Sequence, residues 1–393
     1  MNDDHPPRAA SLPGYEYRRT GPVTLYLGDA TQVMAAMPDA SIDAIVTSPP
    51  FWSLRDYGTG AWHGSDPHCP HTVAARQRTH GAVCQRCAAV WTDPQYGLEP
   101  TIEAYVDRLV GVFDQARRVL TPTGTCWLNL GDSYASGSKH AHDTSNGITA
   151  IRRLPPVRNR SLLPAKNLIG VPWRVAFALQ ASGWWLRNAV IWAKTNPMPE
   201  SVTDRLSTTY ELLFLLTRSD RYYFNLDPIR VPLRWPDLAD HPPIVGGIHK
   251  GRTGGVGATA RRRGAQRRRP GKYGADDIGV EPRAGRGNLI PLGHAHTAAH
   301  TRGRNPGDVW TIATRPYRGS HVAPFPVDLP LRAIAAGCPP GGVVLDPFSG
   351  AGTTALAAVQ LGRSYIGIDI AAGFHHEALT RLAPHLPPRE AGG

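Results

Sequence analysis

At 393 residues, of which 41% are hydrophobic and 19% charged, the chain is long enough to bury a substantial core, as one large α/β domain with insertions or as two domains. A formal net charge of +12 suits a polyanionic partner. No apolar run reaches membrane-spanning length, Met1-Asn2-Asp3-Asp4-His5-Pro6-Pro7 lacks a basic-then-apolar signal pattern, and five cysteines are too few for a disulfide framework, so a cytoplasmic protein without a membrane role is expected.

Along the chain, the first strong pattern is the apolar run Ile42-Asp43-Ala44-Ile45-Val46, a strand that runs into Thr47-Ser48-Pro49-Pro50-Phe51-Trp52. Two prolines fix φ and remove two N–H donors, so the turn is stiff. The carbonyls around Pro49 and the Ser48 hydroxyl are then free acceptors, and Phe51 offers a flat face for stacking. An exocyclic amine on a planar base fits that description; the competing reading is a proline-stiffened turn with an aromatic plug.

Residues 60–98 lack a core pattern but hold His68-Cys69-Pro70-His71 and Cys84-Gln85-Arg86-Cys87. Cys69, His71, Cys84 and Cys87 form a C-x-H plus C-x-x-C set suited to a tetrahedral structural Zn²⁺, with His68 or His80 as alternatives to His71. Four protein ligands would leave no open position, so such an ion is not catalytic. The plain alternative is a loop with free thiols. Residues 101–120 follow as an amphipathic helix, with Ile102, Tyr105, Val106, Leu109, Val112, Phe113, Ala116 and Leu120 at three-to-four spacing and Thr101 before Glu103 at its start. Cys126 to Leu130 reads as a strand, Pro172 to Ser182 as a helix, and Trp185 to Ala193 and Tyr210 to Thr217 as strands.

Between Gly246 and Asn305 stand 13 Lys or Arg against 3 Asp or Glu, and 14 of the 41 glycines, with no apolar period. This stretch carries most of the net charge. It reads as a basic segment that contacts phosphates and guanine edges, or as a solvated loop. Cys338, in Gly337-Cys338-Pro339-Pro340-Gly341-Gly342, reads as a turn residue rather than a nucleophile, and Cys126 as core.

The last strong pattern is Val343-Val344-Leu345-Asp346-Pro347-Phe348-Ser349-Gly350-Ala351-Gly352-Thr353-Thr354, read as strand, glycine turn and helix. Its glycines let backbone approach a ligand, and the helix start presents unpaired N–H groups. Ser364 to Ile370 forms the next strand, with Asp369 suited to two ribose hydroxyls, which implies a nucleoside cofactor.

Together, the Ser48-Pro49-Pro50-Phe51 and Asp346-Pro347-Phe348-Ser349-Gly350-Ala351-Gly352-Thr353-Thr354 motifs, in that order, resemble the beta group of the DNA amino-methyltransferases. The blocks Gly28-Asp29, Trp127 to Asp132, Trp192 to Ser201, Tyr210-Glu211 and His321 to Pro326 match as well. The resemblance implies an α/β fold with a seven-stranded Rossmann-like methyltransferase sheet, mostly parallel with its last strand antiparallel, and helices on both faces. It also implies S-adenosylmethionine as cofactor. Asp346, Phe348, Gly350 and Gly352, with Thr353 beside them, go to the methionine side, Asp369 to the ribose and Asp29 to the adenine, with Phe325 covering the pocket. Ser48, Pro49, Pro50 and Phe51 become the catalytic turn acting on a base flipped from double-stranded DNA.

On this reading residues 1–21 and 384–393 are tails, 22–227 the catalytic half of one domain, 228–305 the target-recognition region and 306–383 the cofactor half. Serine in the catalytic turn favours the N4 of cytosine; the N6 of adenine, a DNA-binding protein with a retired methyltransferase fold, and an RNA or protein glutamine methyltransferase stay as alternatives. A companion restriction endonuclease, or a phage-type setting, and a monomer or homodimer are left open.

Overall fold

The computed structural model describes residues 12–64, 66, 68–71, 82–135, 152–153, 163–232, 302–317 and 324–386. The basic stretch over 233–301, His80 and His321 to Ala323 lie outside them. The chain divides into two compact units, residues 1–225 with 308–393 and residues 226–307. In the second unit, Arg230 and Arg302 pair with Asp227, and Val231 bridges Arg304.

The strands in chain order are β1 (Glu16–Thr20), β2 (Val23–Leu27), β3 (Ile42–Thr47), β4 (Arg55–Asp56), β5 (Ala61–His63), β6 (Val90–Thr92), β7 (Leu120–Leu130), β8 (Arg152–Arg153), β9 (Trp185–Lys194), β10 (Tyr210–Thr217), β11 (Val309–Ile312), β12 (Val343–Asp346) and β13 (Ser364–Asp369). The helices are α1 (Ala30–Ala36), α2 (Ile102–Val119), α3 (Val171–Ala181), α4 (Asp328–Gly337), α5 (Thr353–Gln360) and α6 (Ala372–Leu382). Nine strands form one sheet in the order β1-β2-β13-β12-β3-β7-β10-β9-β11. Strands β2, β13, β12, β3 and β7 are mutually parallel, and β10 runs against both β7 and β9.

The expected seven strands are therefore present from β2 to β9, and β1 and β11 extend the two edges to nine. The antiparallel strand of those seven is β10, which is neither the last in the chain nor at an edge of the sheet. An eight-residue run of which six are buried, ELLFLLT behind Tyr210, fits an interior strand of either direction. Its direction is not set by its composition; it shows in the antiparallel pairing with both β7 and β9.

Helix α2 starts where expected. The Thr101 hydroxyl accepts the Ala104 N–H at 3.1 Å, Glu103 lies in the first turn and Arg117 and Arg118 in the last, all favourable to the helix dipole. Its buried residues Ile102, Tyr105, Leu109, Val112, Phe113, Ala116 and Val119 make one apolar stripe against the sheet. Helices α1, α2 and α3 pack in succession on one face, and α4, α5 and α6 on the other. Asp132, just beyond β7, accepts the Gly170 and Val171 N–H groups and so fastens the start of α3 to the end of that strand. No helix among the described residues is long and apolar enough to cross a membrane.

Two glycines set contrasting packing limits. In α4, a Cβ on Gly337 would come within 2.4 Å of Thr125 Oγ1 and 2.5 Å of Trp127 Nε1, both in buried β7. In α2, Gly111 is exposed with nothing within 4 Å. Overpacking at a buried site costs roughly 1–3 kcal/mol, against a helix-propensity gain of up to about 1 kcal/mol. Gly337→Ala should therefore lower the urea midpoint with m unchanged, whereas Gly111→Ala should raise it; equal shifts would contradict this packing.

Candidate active site

Parallel strands β3, β7, β12 and β13 end side by side, and the chain segments leaving their carboxyl ends form one cavity of about 260 Å³. Ser48, Pro49, Pro50 and Phe51 line it from β3, and Asp346, Phe348, Gly350, Thr353 and Asp369 from β12, α5 and β13. Phe325 lines it too. Of the residues singled out in the sequence, Asp29 and Gly352 do not form its walls, although Gly28 and Ala30 do.

The Asp346 carboxylate ties the two motifs together. Its Oδ1 accepts the Thr47 hydroxyl at 2.6 Å and the Phe348 N–H at 3.0 Å, and its Oδ2 accepts the Thr354 hydroxyl at 2.8 Å. Thr47 immediately precedes the Ser48–Phe51 turn and Thr354 lies in the first turn of α5. Burial disfavours the charge, and these neutral donors only partly offset it, so its pKa is pushed up to about 6.

Asp369 is held differently. Its Oδ2 accepts the Gly350 N–H and its Oδ1 the Ala371 N–H, each at 2.9 Å. Desolvation outweighs those bonds and raises it to about 6 as well. Gly350 has φ +47°, in the left-handed region that glycine enters without strain. Gly352, at φ +70°, is the N-cap of α5, and a Cβ there would meet the Ala378 Cβ of α6 at 2.8 Å. Its glycine is thus required by helix packing as well as by conformation.

Asp29 caps α1 by accepting the Thr31 and Gln32 N–H groups, and its second oxygen accepts the Tyr96 hydroxyl at 3.0 Å. Tyr96 was not foreseen. It comes from the far end of the 60–98 insertion, stacks edge-on against Phe348 with centroids 5.1 Å apart, and is kept protonated by burial, which lifts it to about 12. Composition offered no sign of its role, because only the fold returns residue 96 to the cavity.

In the Ser48–Phe51 turn, the Pro50 carbonyl accepts the Tyr105 hydroxyl at 2.9 Å, whereas no described residue donates to the Pro49 carbonyl. A Cβ on Gly131 would lie 2.5 Å from Phe51 Cε2, so glycine there is what admits the ring. Trp52 is buried and donates its indole N–H to the Glu99 carbonyl, so it is part of the core rather than a cavity wall. The Ser48 hydroxyl reaches Asn129 Oδ1 at 3.1 Å. Asn129 in turn donates to Glu211 and to the Leu212 carbonyl, and Lys194 pairs with Glu211 at 2.6 Å. The sequence blocks containing these three residues were visible, but not that they form one chain of bonds.

The insertion brings Cys69, His71, Cys84 and Cys87 together, with one ligand atom from each within 4.8 Å of the others. Cys69 and Cys84 sulfurs are 3.8 Å apart, and Cys87 Sγ lies 3.6 Å from His71 Nδ1. A tetrahedron with Zn–S bonds near 2.3 Å has edges of about 3.8 Å, so the spacing fits. His71 and the backbone N–H groups of Arg86 and Cys87 hold the Cys84 thiol down at about 6. The other two cysteines are core groups: burial lifts Cys338 to about 12 and Cys126 beyond that, which removes thiolate character.

A family model described as DNA methylase, for N6 and N4 enzymes, matches residues 42–380. Among curated proteins, the chain is 33% identical to the type II methyltransferase M.Cfr9I of Citrobacter freundii, over 91% of this chain and 87% of that protein. It is 32% identical to M.XycI of Xanthomonas campestris pv. cyanopsidis, over 91% and 87%, and 32% identical to M.SmaI of Serratia marcescens, over 88% and 86%. It also aligns with the solved PvuII DNA methyltransferase (cytosine-N4-specific), over 95% of this chain and 91% of that one, at 13% identity and a TM-score of 0.49, which bears on neither target nor site. With the methylase model matched across both motifs and relatives aligned over nine-tenths of its length, the chain belongs to the N6/N4 family of DNA methyltransferases.

Proposed function

We propose that this protein transfers a methyl group from S-adenosylmethionine to the N4 amine of a cytosine flipped out of double-stranded DNA. The observation that carries this reading is that Ser48, the Pro49 carbonyl and Phe51 share one cavity with Phe348, Gly350 and Asp369. Cytosine rather than adenine follows from serine at position 48, on the resemblance of the turn. The names of the relatives, type II methyltransferases, support a restriction-modification role in the cytoplasm, with a companion endonuclease. The basic stretch over 228–305 serves as the target-recognition region, through phosphate contacts that make affinity strongly salt-dependent.

The cavity's chemistry fits the cofactor. Each Asp369 oxygen accepts one backbone N–H and keeps a lone pair for one of two adjacent ribose hydroxyls. Phe348, Phe374 and Phe325 supply flat apolar walls. Asp29 takes the adenine end, and because its oxygens already hold α1 and Tyr96, it acts there by positioning the Tyr96 ring. When bound, S-adenosylmethionine supplies an electrophilic methyl group.

The protein's part is to make a poor nucleophile competent. The lone pair of an exocyclic amine is delocalised into its ring; when the Ser48 oxygen and the Pro49 carbonyl accept its two hydrogens, the nitrogen moves toward tetrahedral geometry and the lone pair localises. Phe51 stacks on the base and fixes its plane. No covalent intermediate with the protein is needed, and the surplus proton leaves to water after transfer.

A structural zinc on Cys69, His71, Cys84 and Cys87 completes the reading. It staples a segment that carries the pocket residues Gln95 and Tyr96.

Four experiments test these assignments. Ser48→Ala should lower kcat for methyl transfer to unmethylated DNA about 10²–10³-fold, the scale of losing one preorganised polar contact, while cofactor affinity by calorimetry stays within about twofold; a fully active variant refutes the amine-gripping role. Sequencing that distinguishes N4-methylcytosine from N6-methyladenine names the base. For pH, both Asp346 and Asp369 have folded pKa values raised to about 6 from 3.8, so the folded apoprotein binds more protons between about pH 4 and 6 and loses stability as pH rises through that window. Cofactor binding runs the other way: Asp369 must be ionised to accept hydroxyls, so affinity should fall below about pH 6, and Asp369→Asn should abolish that dependence along with most affinity. Finally, metal analysis should find about one zinc per chain, lost in Cys84→Ser/Cys87→Ser together with a lower melting temperature; metal-free protein with unchanged melting overturns the zinc assignment.

A further inference from the structure

Ser48 can accept an amine hydrogen only if its own hydroxyl proton points elsewhere, and the bonds around Asn129 decide where it points. Asn129 is buried, with 2% of its surface exposed. Its amide nitrogen faces two groups that can only accept, the Leu212 backbone carbonyl and the Glu211 carboxylate, each at 3.1 Å. Lys194 pairs with the other Glu211 oxygen at 2.6 Å, a charge-assisted contact that holds the carboxylate in place. Both amide hydrogens are thereby committed, and the orientation of the amide is forced, since turning it over would set its oxygen against two other acceptors. The Asn129 oxygen is left facing Ser48, and an oxygen there can only receive the Ser48 proton, over 3.1 Å.

We propose that Asn129, held by Glu211, Lys194 and the Leu212 carbonyl, is a positioning residue that locks Ser48 as an acceptor toward the cavity and so selects a base carrying an amine over the same base carrying a carbonyl at that position. The inference rests on the amine-transfer reading above. An amine donates hydrogens to the Ser48 oxygen, whereas a carbonyl would put lone pair against lone pair. Deaminated cytosine, which is uracil, and deaminated adenine, which is hypoxanthine, are thus rejected at the turn itself. Sites built to hydrogen-bond a particular group discriminate strongly because the mismatch leaves buried polar atoms unpaired. An amide does not relay protons readily, so this chain of bonds sets polarity and does not carry the reaction's proton away.

The test compares binding, in the presence of a non-transferring cofactor analogue, of duplexes whose target is the base that the protein methylates with duplexes carrying its deaminated counterpart there, dU for dC or dI for dA. The wild type should prefer the amine by about tenfold or more. Asn129→Ala leaves room for water, which can either donate to or accept from Ser48, so the preference should narrow to about twofold or less while cofactor affinity is retained. Asn129→Asp keeps an acceptor against Ser48 and should keep the preference, even where turnover falls. Asn129→Leu, which removes the acceptor without admitting water, gives the same narrowing and substitutes for the alanine variant should that one not fold. Wild-type discrimination persisting in the alanine or leucine variant, or lost equally in Asn129→Asp, overturns the polarity lock. A wild type that binds cofactor and DNA but methylates no amine instead overturns the functional reading on which it rests.

Discussion

The Asp346 carboxylate is the constraint on which the site depends. It is buried to 3% exposure and receives hydrogen bonds from Thr47, Thr354 and the Phe348 N–H, two of them from motifs some three hundred residues apart in the chain. An unpaired buried carboxylate would cost several kcal/mol, so the three donors are required where they are. Because Thr47 immediately precedes Ser48 and Thr354 lies at the head of α5, satisfying Asp346 also fixes the Ser48–Phe51 turn relative to the glycine turn after β12. The proposed in-line transfer would depend on the relative placement of base and cofactor, and this one side chain spans the junction between the two turns.

A second acid repeats the principle at lower cost. Asp369 gathers the Gly350 and Ala371 N–H groups, which shapes the glycine turn before any ligand enters. Burial raises both carboxyls to about 6; Asp346 is almost wholly enclosed, while Asp369 keeps some exposure toward the cavity. Glycine appears in this region where a side chain cannot fit: Gly131 against the Phe51 ring and Gly352 against α6. The insertion with its Cys and His cluster contributes Tyr96 and Gln95, so the cavity wall is shared between the sheet and this small segment.

Elements with a strong period were legible in the sequence. Helix α2 begins and ends within a residue of its expected bounds, because Thr101 caps it and seven apolar residues mark one face. Strand β10 matches residue for residue, from Tyr210 to Thr217. Helix α1, with seven residues and three buried, and α4, with Pro330 near its start, carry too little pattern to stand out from turns. Edge strand β1, Glu16-Tyr17-Arg18-Arg19-Thr20 with no buried residue, gains its identity only by pairing with β2. The extra strands at the edges are for that reason the part of the sheet that local pattern did not announce.

By itself, the sequence determined the chemistry of the parts: a proline-stiffened turn with a hydroxyl and a ring, a glycine turn before a helix, an acid at a strand end, and three thiols and an imidazole in two knuckles. Those follow from residue type and short spacing, which act within a few bonds. Tertiary structure alone decided the pairings. Ser48 meets Asn129 because Thr47 lies beside Leu128 in the β3/β7 register, and Asn129 meets Glu211 because β10 runs antiparallel to β7 with Leu212 opposite Leu130. A shift of one residue in either register would turn those side chains to the other face of the sheet. Which hydroxyl donates and which accepts is therefore a property of strand alignment, and no local reading of residues can supply it.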